Sequence, residues 1–164
     1  MGYTAIAWRD FAVTTGSLAG ALTGLLFVAV SLHSGALAKS ISLSSRAAQT
    51  LVLFITPAIS SVVLTAPQPA AALGAELLAT AAVSGTALYI LDRRAGHDLT
   101  GGVVVRYIER ASPNRITAML VLIAGVSFLV KWGGGLYWMI PAVLAGLVGG
   151  VVNAWLFLLK VPDN

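Results

Sequence analysis

One carboxyl group stands well inside a long apolar run of this sequence. Glu76 is followed at intervals of four residues by Thr80 and Ser84, so on a helix the three side chains share one face. At membrane depth a carboxyl group is costly unless it is paired, protonated or in contact with water. The strip therefore predicts an ion or proton site, or the mouth of a polar path. The alternative is a structural pair with Lys131 or Arg9 near an interface.

A second polar residue at depth is Asn153, in the last apolar run. An amide there can contact a solute along the same polar path. It can equally form a hydrogen bond between two helices, which is the commoner use of a polar side chain in an apolar bundle.

Other kinds of chemistry have no support in the residue types. The chain has no cysteine, and His33 has no second ligand at metal-binding spacing, so we expect no metal and no cofactor. The patterns HExxH, GxSxG, the Walker loop and GxGxxG are all absent. We therefore expect that the protein is not an enzyme.

Small residues recur every four positions in two runs, in the manner of a glycine zipper. They are Gly16, Gly20 and Gly24 in the first run, and Ala142, Gly146, Gly150 and Ala154 in the last. Such ridges let helix backbones approach closely, which is what holds helices together in lipid. The pattern predicts tight helix packing and leaves open whether the ridges meet within one chain or join protomers.

The elements that must position these residues follow from the composition. With 58% hydrophobic and only 10% charged residues, and a mean hydropathy of +0.91, the chain lacks the polar surface of a soluble domain. Runs of about twenty apolar residues each predict an all-α, polytopic transmembrane helical bundle, a single domain over residues 1–164. The predicted spans are residues 11–38, 47–66, 70–91, 116–130 and 136–159.

Three local features refine this topology. The run 116–130 is the shortest, so four spans plus a re-entrant segment is the alternative to five. Pro57 removes a backbone donor inside the second span and predicts a kink there. Residues 92–115 form the one sizeable polar segment, within which 103–110 could lie at the interface as a short amphipathic helix.

Basic residues predict the orientation. With the N-terminus outside, one side of the membrane carries Lys39, Arg46, Arg93, Arg94, Arg106, Arg110, Arg115 and Lys160, and the other carries Arg9 and Lys131. This is the bias of a protein with its C-terminus in the cytoplasm. The net charge of +4 is thus assigned to topology and contacts with membrane lipids, and not to nucleic acid.

Four strings carry a resemblance over nearly the whole chain: Trp8 to Phe11, Ala21 to Leu32, Arg46 to Leu51, and Gly135 to Leu159. In this order they resemble a group of small, largely uncharacterised multi-pass membrane proteins of actinobacteria. Some members of that group are labelled modulators of an FtsH-type membrane protease. The resemblance implies a protein of the bacterial cytoplasmic membrane.

Two functions fit these features. The first is a small homo-oligomer that provides a path or site, as a channel or transporter does, for an ion or small solute along Glu76, Thr80, Ser84 and Asn153. The second is an accessory or regulatory subunit that docks on a larger membrane complex, such as a protease or a respiratory or envelope assembly. A polar strip is unnecessary for a passive docking helix, which favours the first.

Overall fold

The structure, a computed structural model, describes residues 2–95 and 113–160. Within these ranges the ordered elements are all helical, which confirms the predicted all-α class. They are α1 (Arg9–Leu32), α2 (Ser34–Lys39), α3 (Ile41–Thr65), α4 (Ala70–Ala95), α5 (Pro113–Val130) and α6 (Met139–Lys160), with short 3-10 helices at Ala5–Trp8 and Gly135–Trp138. The predicted amphipathic segment 103–110 lies outside the described residues.

Four helical stretches are long and apolar enough to cross a membrane: Ala5–Leu32, Ile41–Thr65, Ala70–Arg94 and Gly135–Leu156. The apolar helix Asn114–Val130 is shorter than these four. The composition and these helices together indicate a membrane protein.

Helix boundaries differ from the sequence prediction mainly around residues 33–46. The first long helix ends at Leu32, and His33 places its ring Nδ1 2.9 Å from the carbonyl oxygen of Ala29. Ser40 then caps α3 by accepting a hydrogen bond from the backbone N–H of Leu43 at 3.3 Å. A serine in this position satisfies a donor that a helix start leaves free, so the third helix begins six residues before the predicted second span.

The helix α3 lies at the centre of the packing. It contacts α1, α4 and α6, while α5 packs against α4 and α6. The helices α3, α4, α5 and α6 therefore form a closed four-helix ring, in which α3 and α5 are diagonal to each other. Helix α1 lies outside this ring, on α3, and makes few contacts with α6.

Burial follows this arrangement. In α1 the buried residues Ala12, Thr15, Ala19 and Leu26 form a single strip at helical spacing, as expected of a helix that packs on one side only. In α3, by contrast, buried positions cover about half of the helix circumference and include several polar residues. Polar groups on such a broad buried face have to be satisfied from within the bundle.

The two ends of the bundle differ in composition. The arginine end comprises residues 39–46, 92–95 and 113–115, and the glycine end comprises residues 2–8, 66–69 and 131–135. At the glycine end the N-terminal segment is attached to the turn before α6: the N–H of Leu136 donates to the carbonyl of Gly2 at 2.8 Å, and the N–H of Gly134 donates to the Tyr3 hydroxyl at 3.0 Å.

Three consecutive glycines make that turn possible. Gly133, Gly134 and Gly135 have φ angles of 82°, 107° and 59°, a region that other residues rarely adopt. Ser127 stabilises the turn from α5, since its hydroxyl donates to the carbonyl of Trp132 and accepts the N–H of Gly135 at 2.8 Å. Trp8 packs edge-on against Tyr137 with ring centroids 5.0 Å apart, which secures the start of α1 to the ring.

Candidate functional site

The predicted polar strip on α4 runs from the surface into the bundle. Glu76 is exposed, Thr80 is half-buried and Ser84 is buried. The Thr80 hydroxyl donates to the Glu76 carbonyl at 2.8 Å, and the Ser84 hydroxyl donates to the Thr80 carbonyl at 2.7 Å. Both hydroxyls are thus bonded to their own helix, so the strip offers an incoming solute fewer free groups than the spacing implies.

Glu76 has a partner that the sequence interpretation did not consider. Gln68, in the loop between α3 and α4, donates from its Nε2 to the Glu76 Oε2 at 2.9 Å and to the carbonyl of Val63 at 2.9 Å. The amide thereby joins the end of α3 to the first turns of α4. The sequence signal was available, since Gln68 is a lone polar side chain between two prolines and lies eight residues before Glu76.

A second and more deeply buried set of polar side chains lies toward the arginine end. We call this set the polar core. Its members are Arg46, Gln49 and Thr50 on α3, Asn114 and Thr117 on α5, and Asn153 on α6, each at most 9% exposed. Of these, only Asn153 was among the predicted site residues. The structure therefore places it with polar neighbours at the same end of the ring, away from Glu76.

A close contact between α3, α5 and α6 gives a reference point for the position of the polar core along the helix axes. A β-carbon built on Gly146 would lie 3.3 Å from the Leu53 carbonyl oxygen and 3.3 Å from the Thr117 Cγ2. Three helices thus meet at this level. From it, a rise of about 1.5 Å per residue places Gln49 about 6 Å and Asn114 about 4.5 Å closer to the arginine end.

The same count places Arg46 and Asn153 together at the next level. Arg46 is seven residues before Leu53, and Asn153 is seven residues after Gly146, so each lies about 10 Å from this contact along its helix axis. The polar core is therefore layered, with Thr117 deepest, Gln49 and Asn114 next, and Arg46 with Asn153 nearest the arginine end.

Several polar atoms in the polar core have no hydrogen-bond partner among the described residues. They are Gln49 Nε2, Asn114 Oδ1 and Thr117 Oγ1, each almost fully shielded from solvent. Thr50 is satisfied, since its hydroxyl donates to the Arg46 carbonyl at 3.0 Å. Buried polar atoms are almost always paired, so free ones call for water or a ligand between them.

The other half of the ring is mostly apolar, although Ser60, Ser61 and Ser127 are also buried there. Leu73 and Leu77 on α4, Phe128 on α5, and Leu136 with Met139 before and in α6 are all at most 3% exposed and belong to one packed cluster. This cluster lies toward the glycine end. In the described conformation the polar core is consequently closed on that side.

The two small-residue ridges have different surroundings. On α6, Ala142 is 1% exposed, Gly146 lies against α3 and α5, and Gly150 lies directly against the Phe54 ring. Ala154 lines an apolar groove between α1 and α6 with Leu22 and Leu26. This ridge therefore packs chiefly within the chain.

On α1 only the first glycine of the ridge has a close neighbour. A β-carbon on Gly16 would lie 3.1 Å from the Ser61 Cβ, whereas Gly20 and Gly24 have nothing within 4 Å. Most of the α1 ridge thus faces away from the ring, which leaves its role in joining protomers a prediction.

Pro57 lies inside the continuous helix α3. Its ring nitrogen cannot donate to the Leu53 carbonyl, and that carbonyl is the one that Gly146 approaches. Nearby hydroxyls bond to other carbonyls of the helix: Thr56 donates to Val52 and Ser61 donates to Pro57, both at 2.7 Å. The kink itself stays a prediction.

Within residues 2–95 and 113–160, His, Asp and Glu side chains form no group of three that could hold a metal ion. The expectation of no metal stays a prediction. No family model, curated protein or solved structure matches the chain. The resemblance to the actinobacterial membrane proteins therefore also stays a prediction, and the function has to be argued from the geometry.

Proposed function

We propose that this protein is a five-span integral membrane protein that binds a small, uncharged polar solute in the polar core of its bundle. The fifth span in this proposal is α5. Its 18 residues reach about 27 Å, close to the thickness of a bilayer's hydrocarbon core. It packs along both α4 and α6 as a full member of the ring, and this favours a span over a re-entrant segment.

The orientation in this proposal places the arginine end in the bacterial cytoplasm. Eight of the ten Lys and Arg residues then lie on the cytoplasmic side. The polar core lies nearer that side, with Arg46 and Asn153 as its outermost layer. The apolar cluster of Leu73, Leu77 and Phe128 then separates the polar core from the outside.

The observation that carries the proposed function is a pair of buried polar atoms, on α3 and α5, that have no hydrogen-bond partner among the described residues. Gln49 Nε2 is a donor, and Thr117 Oγ1 can accept. These groups are neutral and include both donors and acceptors, which suits a hydroxyl or amide compound better than a bare ion. We propose no catalytic role, because binding alone accounts for this arrangement.

The test is a thermal-unfolding assay of the purified full chain in mild detergent, with glycerol or acetamide as probes. A ligand that binds only the folded state raises Tm in proportion to its occupancy. We expect a solute-dependent rise in the wild type that is lost in Thr117→Val. The matched control is Thr23→Val, because the Thr23 hydroxyl bonds to the Ala19 carbonyl on the peripheral helix α1.

General effects of these solutes on protein stability appear equally in all three proteins and cancel in the comparison. If Thr117→Val and Thr23→Val gain the same Tm as the wild type with both probes, the polar core binds neither compound and the proposal fails.

A second candidate function is docking on a larger membrane complex, or on further copies of the chain. It is favoured by the surface of α1. Few residues of the apolar stretch Ala5–Leu32 are buried, and Gly20 and Gly24 have no neighbour within 4 Å. Purification from native membranes in mild detergent distinguishes docking on a larger complex from assembly with further copies of the chain. A foreign protein in fixed proportion supports the accessory subunit, and a symmetric assembly of this chain supports the homo-oligomer.

A further inference from the structure

A cleft of about 430 Å³ opens between α4 and α5 at the arginine end. This is within the size range of ligand pockets. Its walls are apolar and include Leu88, Ala118 and Met119, while its rim carries Asp92, Asn114 and Arg115. One end of the cleft is thus polar and the rest is apolar, which matches an amphiphile better than a wholly polar solute.

The two charges on the rim form an open ion pair. The Arg115 Nη2 lies 3.6 Å from the Asp92 Oδ2, and the two side chains are 69% and 31% exposed. An ion pair this exposed contributes little to stability, so inserting a ligand between its members costs little.

The helix ends do not explain these charges. Asp92 lies in the last turn of α4 and Arg115 in the first turn of α5. A helix favours cations near its C-terminus and anions near its N-terminus, so both residues lie at the unfavourable end. The only contact that accounts for their charges among the described residues is the exposed ion pair between them.

Asn114 supplies an independent observation. It lines the cleft, is 5% exposed, and its Oδ1 has no hydrogen-bond partner in the part of the chain that the structure describes. An asparagine near a helix start often accepts a backbone N–H with this oxygen. Here the oxygen is free, and Asn114 lines the same cleft as Asp92, as a second acceptor below its rim.

We propose that this cleft binds a phospholipid whose headgroup carries a primary ammonium group, such as a phosphatidylethanolamine. The ammonium donates to the Asp92 carboxylate and to Asn114 Oδ1, and the lipid phosphate pairs with the Arg115 guanidinium. An acyl chain lies along Leu88, Ala118 and Met119. The position fits a lipid of the cytoplasmic leaflet, and in this respect the inference rests on the proposed membrane orientation.

Headgroup chemistry makes this proposal selective. A primary ammonium offers N–H donors to two acceptors, whereas the quaternary ammonium of phosphatidylcholine has none. Phosphatidylglycerol has the phosphate but no cation to meet Asp92. A nonspecific basic surface would instead prefer the anionic lipid, so the order of the three lipids distinguishes a built site from simple charge attraction.

The experiment uses the purified full chain in detergent micelles that contain equal amounts of phosphatidylethanolamine, phosphatidylcholine and phosphatidylglycerol with the same acyl chains. After gel filtration, the lipid retained per protein is measured by mass spectrometry. We expect phosphatidylethanolamine to be enriched roughly ten-fold over phosphatidylcholine, the effect of one charge-assisted hydrogen bond.

Three variants locate the site. We expect Asp92→Asn and Asn114→Leu each to abolish the enrichment, and Asp92→Glu to retain it. Asp10→Asn is the matched control, since Asp10 is an exposed acid in the first turn of the peripheral helix α1. Because Asp92 is partly exposed at the rim, we expect Asp92→Asn to fold and to elute from gel filtration as the wild type does. This variant therefore tests the site even if Asn114→Leu misfolds.

Equal retention of the three lipids, a preference for phosphatidylglycerol, or an enrichment that survives Asp92→Asn would overturn the proposal. Thr117→Val is expected to leave the lipid ratio unchanged while it removes the solute effect on Tm. Loss of one readout without the other therefore tells a failure of the lipid site from a failure of the proposed solute site.

Discussion

The carbonyl oxygen of Leu53 lies 3.3 Å from the position that a β-carbon on Gly146 would occupy. This carbonyl is the one that Pro57 leaves without its helical donor. A glycine on the neighbouring helix lies next to it, and the missing side chain lets the two helices approach closely. The proline in α3 and the glycine in α6 are thus two parts of one packing arrangement, at the level where the polar core begins.

This relationship predicts the effect of enlarging Gly146. In Gly146→Leu the new side chain would overlap the Leu53 carbonyl and Thr117, and overpacking of this kind typically costs about 1–3 kcal/mol. We expect a clear fall in Tm for the purified protein. Gly20→Leu is the control, because no atom lies within 4 Å of the site. A Tm equal to that of Gly20→Leu would contradict the packing described here.

The polar core predicts an unusual stability effect at Thr117. Its buried Oγ1 has no partner among the described residues, and a buried unsatisfied polar group costs about 1–3 kcal/mol. Thr117→Val removes this group with almost no change in shape. In the absence of solute we therefore expect the variant to unfold at the same temperature as the wild type or at a higher one. A marked fall in Tm would mean that the hydroxyl is satisfied in the folded protein.

The fold was largely predictable from the sequence, because apolar runs long enough to cross a bilayer leave few alternatives to helices. The helix neighbours were not. The spacing of the two small-residue ridges left open whether they pack against each other or join protomers. In the structure, Gly146 and Gly150 on α6 pack against α3. Spacing identifies a face that can pack closely, but it does not name the partner.

The polar core was missed for a related reason. The predicted second span begins at residue 47, which places Arg46 outside the membrane and Gln49 and Thr50 in the first turn of that span. The structure extends α3 back to Ile41, and all three side chains are buried in the bundle. Hydropathy records the average character of a segment, and it cannot show that polar residues of three separate helices lie in adjacent layers at one end of the bundle.

The glycine end predicts that one substitution is costly for reasons of backbone conformation. Gly135 has φ of 59°, and a β-carbon there would meet the Gly2 carbonyl and the Tyr3 ring. We expect Gly135→Ala to lower the stability by about 1–3 kcal/mol, as measured by thermal unfolding. Gly35→Ala is the control, since Gly35 is helical with nothing within 4 Å, and alanine favours helix. Similar behaviour of the two variants would argue against the described turn.

The proposed topology has its own test. A periplasmic reporter enzyme fused after Asn164 is expected to be inactive, and the same reporter inserted after Gln68 is expected to be active, because five spans place these positions on opposite sides. Residue 68 lies in the loop between α3 and α4. An active fusion after Asn164 would mean that the number of spans or the orientation is different, and four spans with a re-entrant segment would then be the first alternative.

Substitution of Glu76 tests whether the predicted polar path on α4 takes part in function. Its carboxylate accepts a hydrogen bond from Gln68, and a glutamine at position 76 can accept the same bond through its amide oxygen. We therefore expect Glu76→Gln to keep the wild-type Tm and the full solute-dependent rise, because the polar core lies toward the other end of the ring. Potassium flux through reconstituted vesicles gives the complementary measurement. A flux in the wild type that Glu76→Gln reduces would restore Glu76, Thr80 and Ser84 as an ion path and displace the polar core as the main site.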